Sequence, residues 1–222
     1  MKEPSLVGDC LAAMRAAAPA EITVKCRIGV DDQDPRDALP AFLQAVQDAG
    51  VCRVIVHARK AWLKGLSPKE NRTVPPLDHD LVAAMIAAFP RLSLSVNGGI
   101  VSLGAAEAML ARGFAGVMIG RAAYERPYDI LAGADRRIFG ASVGPVPRGE
   151  VVARMRPHIA AHLAAGGRLH DVTRHMLGLF AGLPGARRWR RILSEQGTRA
   201  NAGPEVLDRA LAAVADAAGA EA

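Results

Sequence analysis

Apolar and polar positions along the chain follow two different periods, one typical of strands and one typical of helices. Short runs of β-branched and apolar residues occupy positions 22–28, 53–58, 92–97 and 116–119, and each ends in, or is directly followed by, an arginine, asparagine or glycine. Residues 3–18, 34–50, 81–89 and 102–112 carry apolar side chains at helical spacing. Helix and strand in alternation predict βαβ units and a parallel sheet.

The pattern changes near Pro147, beyond which only helical periodicity remains. The helical stretches are interrupted at 166–167, 182–185 and 197–204, where glycine or proline occurs. The sequence therefore predicts an α/β region followed by a small all-helical region.

Four strands with alternating helices are half of a (β/α)₈ barrel, which typically needs roughly 250 residues. A parallel half-sheet alone leaves two open edges and one uncovered face. Two interpretations follow: an open sandwich, or a barrel whose first strands lie upstream of this chain.

The chain has 222 residues with a net charge of +6, and this charge is unevenly placed. Residues 57–72 carry +4, residues 148–200 carry +7, and the remainder sums to −5. Two basic segments on an acidic remainder indicate a polyanionic partner such as a nucleic acid. Arginine outnumbers lysine 23 to 5, which also fits scattered solvated arginines with no partner.

Three cysteines, Cys10, Cys26 and Cys52, are too few and too irregularly spaced to predict a disulfide framework or a zinc site. We expect Cys10 to pack on its helix. No apolar run is long enough to span a bilayer and the start lacks a signal-peptide core, so we expect a cytoplasmic protein with neither a membrane nor a metal partner.

The carboxyl ends of the predicted strands carry polar residues or glycine, and chemistry in such sheets is placed at these ends. Glycines after the third and fourth strands let backbone amides approach a phosphate, which predicts a phosphate site there. The residues at the four ends are Lys25 and Arg27, His57 and Arg59, Asn97-Gly98-Gly99, and Gly120-Arg121.

Each end taken alone has a simpler explanation. Lys25 is also compatible with an edge position that faces water, because an unpaired cation is costly to bury. His57 fits a hydrogen-bonded core histidine, and Asn97-Gly98-Gly99 fits a turn.

Several longer motifs resemble the tRNA-dihydrouridine synthase family, A branch. The match covers about residues 3–197. Its motifs are Val24-Lys25-Cys26-Arg27-Ile28-Gly29, the run from His57 to Arg72 containing Ala61-Trp62-Leu63-Lys64-Gly65-Leu66-Ser67-Pro68-Lys69, Asn97-Gly98-Gly99-Ile100, residues 117–124, residues 173–180 and residues 184–191.

The resemblance implies a fold, a reaction and a division of the chain. The family fold is a flavin-binding (β/α)₈ TIM barrel followed by a small helical domain. This chain would supply strands five to eight of a partial FMN-binding barrel in 1–144, and a helical tRNA-binding domain in 145–222. The family reaction reduces the C5–C6 bond of D-loop uridines in tRNA, using FMN and NADPH, and we expect a monomer at full length.

The resemblance also implies roles for individual residues. Lys25 would contact the flavin ring and His57 its ribityl-phosphate side. The residues expected at the phosphate end are Asn97, Gly98, Gly99, Gly120 and Arg121, and those expected to touch tRNA are Lys69, Arg72, Arg188 and Arg191.

One family element has no counterpart among the residues present. The family protonates C5 with a cysteine on the loop after the fourth strand, a position ahead of Met1, so no catalytic residue is assigned and we expect this chain to be incomplete and inactive alone.

Two other functions stay open from the sequence. One is a non-catalytic RNA-binding remnant of such a synthase, and the other is an FMN reductase acting on a small molecule. The arginines around Trp189 also fit a helix with one buried face and one solvated face.

Overall fold

The computed structural model describes residues 1–219, with side chains described through residue 216. It divides into two compact units, Met1–Gly120 and Arg121–Ala222. Residues 121–144, which the sequence assigns to the partial barrel, fall in the second unit.

The first unit is an α/β fold whose four strands form one parallel sheet in the order β1-β2-β3-β4. The chain alternates helix and strand throughout this unit, as predicted. The elements are α1 Pro4–Ala17, β1 Thr23–Arg27, α2 Pro35–Asp48, β2 Arg53–His57, a 3₁₀ turn Glu70–Arg72, α3 His79–Ala88, β3 Ser93–Asn97, α4 Leu103–Ala111 and β4 Gly116–Met118.

Helices α2 and α3 each begin directly after an aspartate that caps the helix N-terminus. The Asp34 side chain accepts a hydrogen bond from the Arg36 backbone N–H at 2.9 Å, and Pro35 occupies the first turn of α2. Asp78 accepts from the Leu81 N–H at 2.8 Å, so α3 begins at His79 rather than at the predicted residue 81.

One face of the sheet is covered by helices and forms the hydrophobic core of the first unit. Strand residues of this face join buried residues of the helices, such as Leu39, Leu43 and Val82, in one cluster. The strand residues that contribute are Val24, Cys26, Val54, Val56, Leu94 and Val96.

The opposite face carries mostly polar side chains. Its residues align in three rows across the strands, because parallel neighbours pair in register. From the amino to the carboxyl ends the rows are Thr23, Arg53 and Ser93; Lys25, Ile55, Ser95 and Gly116; and Arg27, His57, Asn97 and Met118.

The second unit consists of helices in the part that the structure describes. They are α5 Arg121–Glu125, α6 Pro127–Leu131, α7 Ala134–Phe139, α8 Arg148–Ala164, α9 Leu169–Thr173, α10 Ala186–Glu195 and α11 Glu205–Gly219. Helices alone therefore begin at Arg121 and not at residue 147, because five- and six-residue helices are too short to show a period in the sequence.

Trp189 lies at the centre of the second unit and is fully buried. Its ring centroid lies 4.7 Å from that of Phe180, and its indole N–H donates to the Met176 carbonyl at 3.1 Å. The surrounding core includes Leu193 of α10 and Leu207 of α11. Within the described residues, no helix combines the length and apolar character needed to cross a membrane.

Candidate functional site

The last residues of the strands lie side by side at the carboxyl edge of the sheet. Arg27 pairs in register with His57, His57 with Asn97, and Asn97 with Met118. The Asn97 side-chain amide donates to the Met118 carbonyl at 2.7 Å, which ties β3 to β4 at this edge. The structure therefore brings His57 and Asn97 together on adjacent strands.

Gly98 and Gly99 follow Asn97 and both have positive φ, at 111° and 71°. A Cβ on Gly98 would lie 3.2 Å from Cε1 of His57, and one on Gly99 would lie 2.5 Å from Cδ1 of Leu77. Only glycine combines this backbone conformation with such close neighbours. The result is a stretch of bare backbone directly beside the His57 ring, which is 7% exposed.

The imidazole of a second histidine also contacts this stretch. His79 Nε2 lies 2.9 Å from the Gly98 carbonyl oxygen. His79 is the first residue of α3. The Gly98 backbone is therefore positioned from both sides.

Lys25 projects from the polar face of β1 and its side chain is exposed. The pKa of Lys25 lies below its ordinary value, because surrounding protein atoms partly desolvate the ammonium and because Arg27 and Arg72 repel it. The pKa of Arg27 is lowered by desolvation and then by Arg59 and Arg72. These four cations share one electrostatic environment, so an anion placed among them would be stabilised.

The loop from residue 58 to 78 crosses this edge and is held there by Arg27. One guanidinium nitrogen of Arg27 donates to the Lys60 carbonyl at 2.9 Å and to the Asn71 carbonyl at 2.8 Å. Asn71 in turn exchanges two hydrogen bonds with the Trp62 backbone. The loop is thereby fixed to the end of β1 at two points, Lys60 and Asn71.

Lys69 and Arg72, two of the predicted tRNA-contacting residues, lie on this loop at the 3₁₀ turn. Both are exposed. The turn is closed by Ser67 and Glu70, whose side chains bond each other's backbone N–H groups.

Gly120 and Arg121 are consecutive but belong to different units. Gly120 is exposed, and a Cβ added there would meet no atom within 4 Å. Arg121 is exposed and begins α5 in the second unit.

The arginine-rich helix α10 separates its faces as the sequence predicts. Trp189 and Leu193 are buried, whereas Arg187, Arg188, Arg190 and Arg191 are all exposed. Three of these arginines line a hollow of about 500 Å³ together with residues 182–186. The predicted Arg188 and Arg191 therefore lie on a positively charged helix surface.

The three cysteines differ sharply in environment. Cys26 is buried in the sheet core, and burial raises the pKa of its thiol to about 12. Cys10 and Cys52 are exposed. The expectation that Cys10 packs on its helix is wrong, because its side chain lies on the solvent face of α1.

We expect two fast-reacting thiols in the folded protein at pH 8 and a third only after unfolding. A raised thiol pKa leaves almost no nucleophilic thiolate at Cys26, and burial blocks the reagent. Titration with a disulfide reagent before and after adding urea measures this. The Cys26→Ser variant should keep both fast thiols and lose the slow one; three fast thiols in the unaltered chain would contradict the assignment.

Sequence reasoning missed the tether made by Arg27 and the contact made by His79. The usable signal for Arg27 was its place beside Lys25 at a strand end. No group of three or more histidine, cysteine, aspartate or glutamate side chains suited to a metal occurs among the described residues.

Parallel α/β sheets bind their ligands at the carboxyl edge, and in this chain that edge carries cations and glycine backbone. The family model described as "Dihydrouridine synthase (Dus)" matches residues 1–217. The chain belongs to the dihydrouridine synthase family.

Three similar proteins are each named tRNA-dihydrouridine(20/20a) synthase. The protein from Shewanella oneidensis is 49% identical over 214 residues, a match that covers 96% of this chain and 63% of the relative. The Vibrio cholerae protein is 48% identical, with 96% and 65% covered. The Escherichia coli protein is 51% identical, with 97% and 62% covered. The chain thus spans less than two thirds of the length of these relatives.

Proposed function

We propose that this chain is part of a flavin-dependent tRNA-dihydrouridine synthase that reduces the C5–C6 bond of D-loop uridines, with FMN as cofactor and NADPH as reductant. The observation that carries the proposal is the carboxyl edge of the sheet, where Lys25, His57, Asn97 and bare glycine backbone come from neighbouring strands. Family membership and the shared name of the relatives support it.

The four-stranded sheet is, in this proposal, strands five to eight of a (β/α)₈ barrel. The alternation of parallel strands and helices supports this assignment, since a (β/α)₈ barrel is built from eight such units. Residues 1–144 would form the partial barrel and residues 145–222 the helical domain. The protein would act in the cytoplasm, as a monomer when full-length.

The residues at the edge fit FMN. Gly98 and Gly99 place no side chain of their own between the backbone and a ligand, and a phosphate needs such close access to backbone N–H groups. Gly120 and Arg121 would add an open backbone and a forked cation, and the Asn97 side chain is already fixed by Met118. When bound, FMN supplies the hydride chemistry.

Each residue of this chain then has a defined task. Lys25 would hold a positive charge at the flavin ring, where it favours negative charge. His57 would contact the ribityl-phosphate side. Cys26 would have no part in proton transfer, because its side chain is buried in the hydrophobic core on the face of β1 opposite Lys25.

The tRNA would be held by two basic surfaces, one on each unit. Lys69 and Arg72 lie on the loop tethered by Arg27, and Arg188 and Arg191 lie on the exposed face of α10. A uridine must leave its stack to reach a flavin, so affinity has to come from backbone phosphates around it.

The double variant Arg188→Gln/Arg191→Gln is expected to bind tRNA more weakly and with less salt dependence. Removing two phosphate contacts should reduce the slope of log affinity against log salt by about 2. Filter binding over a salt series measures this, with Arg36→Gln/Arg91→Gln as the charge-matched control outside both basic segments. Equal slopes for the two double variants would remove α10 from the tRNA surface.

Deletion of the gene that encodes this chain tests the proposed activity directly. We expect dihydrouridine to disappear from D-loop positions of cellular tRNA, as measured by mass spectrometry of nuclease digests, and to return on complementation. An unchanged dihydrouridine content would overturn the proposal.

A further inference from the structure

Trp62 is a large aromatic residue at the surface of the basic loop. Its side chain is 37% exposed, whereas the chain's other tryptophan, Trp189, is fully buried. The cations on either side of Trp62 in this loop include Lys60, Lys64 and Lys69. An exposed aromatic side chain among cations is the composition of surfaces that stack nucleobases.

The backbone around Trp62 is held in place from both sides. The Asn71 side chain accepts from the Trp62 N–H at 2.7 Å and donates to the Trp62 carbonyl at 2.8 Å. The next residue, Leu63, donates its N–H to Asp31 Oδ1 at 2.8 Å. The indole is therefore presented on a rigid support, which lowers the entropy lost when a ligand stacks on it.

A hollow of about 640 Å³ lies beside the indole, and its charges nearly cancel. Lys2 forms an ion pair with Asp31 at 2.6 Å. The lining also contains one further cation, Lys64, and one further carboxylate, Asp32. The complete lining is Lys2, Val30, Asp31, Asp32, Gln33, Trp62 and Lys64. A neutral, planar group with hydrogen-bonding edges fits such a lining better than a phosphate does.

The ammonium of Lys60 lies 5.1 Å from the centroid of the Trp62 ring. This cation–π contact fixes the ring and adds a positive charge beside it. The same lysine is tethered through its carbonyl to Arg27. The ring orientation is thus coupled to the end of β1.

We propose that Trp62 stacks against an unpaired nucleobase of the bound tRNA, in the hollow bounded by Asp32 and Lys64. This inference rests on the proposed function, since it assigns one contact of its tRNA substrate. Stacking supplies affinity without neutralising a phosphate, so it contributes independently of salt. Exposed cations of the loop hold the backbone on either side of this base.

Two measurements on the 222-residue chain test the proposed stacking of Trp62 on a base, which we call the stack. The Trp62→Ala variant should bind transcribed tRNA about 5- to 150-fold more weakly, with an unchanged salt slope. Trp62→Phe should retain most of the affinity, and Leu63→Ala should match the unaltered chain, because Leu63 is a neighbouring apolar side chain that is 64% exposed.

Tryptophan fluorescence gives a second, independent readout. The unaltered chain should lose emission on adding tRNA, and Trp62→Phe, in which Trp189 is the remaining tryptophan, should not. A fully paired RNA duplex should bind through charge without quenching Trp62. Amide exchange at Leu63 and Asn71 in Trp62→Ala should stay at the level of the unaltered chain, which shows that the loop is intact.

The outcomes separate the two proposals. If tRNA binds to the unaltered chain but neither quenches Trp62 nor loses affinity in Trp62→Ala, the stack is wrong and the proposed function stands. Quenching by the duplex equal to that by tRNA would likewise overturn the stack. If tRNA does not bind at all and dihydrouridine persists in the deletion strain, the proposed function is wrong and the stack falls with it.

Discussion

Replacing Trp189 with alanine is expected to lower the free energy of unfolding of the helical unit by about 3–5 kcal/mol. The side chain is fully buried, packs on Phe180 and donates a hydrogen bond to the Met176 carbonyl. Its removal leaves a cavity between α10 and the rest of the core and takes from the Met176 carbonyl one of its two hydrogen bonds, the other being donated by the Leu179 N–H. Because α10 also carries the exposed arginines, tRNA affinity should fall together with stability.

Urea denaturation followed by far-UV circular dichroism measures this loss. Phe139→Ala is the matched control, since Phe139 is an aromatic side chain of the same unit that is 78% exposed. The control should shift the midpoint little. Equal midpoints for Trp189→Ala and Phe139→Ala would show that the core of this unit does not depend on the indole.

The Gly98→Ala variant is expected to lose about 1–3 kcal/mol of stability and to release FMN. The φ of 111° at this position is strained for any residue with a side chain, and the new Cβ would lie 3.0 Å from Leu77 and 3.2 Å from His57. The ring of His57 must then move away from the backbone that we propose holds the phosphate.

Urea denaturation measures the loss of stability. The flavin absorbance that remains after desalting, compared with that of the unaltered chain, measures the release of FMN. Gly120→Ala is the control for stability, because a Cβ there meets no atom within 4 Å and should leave the midpoint unchanged. A Gly98→Ala chain as stable as this control would contradict the strain described at the carboxyl edge.

Much of the first unit could be predicted because its local signals agree with one another. The β-branched runs, the Asp34-Pro35 cap and the helical spacing of Leu39 and Leu43 all specify the same alternation of helix and strand. The outward row of arginines on α10 was equally readable, since Trp189 and Leu193 mark the buried face.

Other features depend on contacts that no local pattern encodes. Arg27 bonds to backbone carbonyls 33 and 44 residues away, and any residue supplies such a carbonyl. The solvent-facing position of Cys10 depends on how α1 turns against α2. Helices α5 to α7 are too short to show a helical period in the sequence.

The hydrogen bonds of Arg27 connect the proposed FMN site to the proposed tRNA-binding loop, so the binding of FMN and the binding of tRNA would be thermodynamically coupled. Arg27 joins the strand end beside Lys25 to the loop that carries Trp62, Lys69 and Arg72. An anion bound at the strand end would stabilise this arrangement of the loop by some free energy. By thermodynamic linkage, RNA binding to the loop would be strengthened by the same free energy. Cofactor and substrate would therefore bind with positive cooperativity through a single guanidinium group.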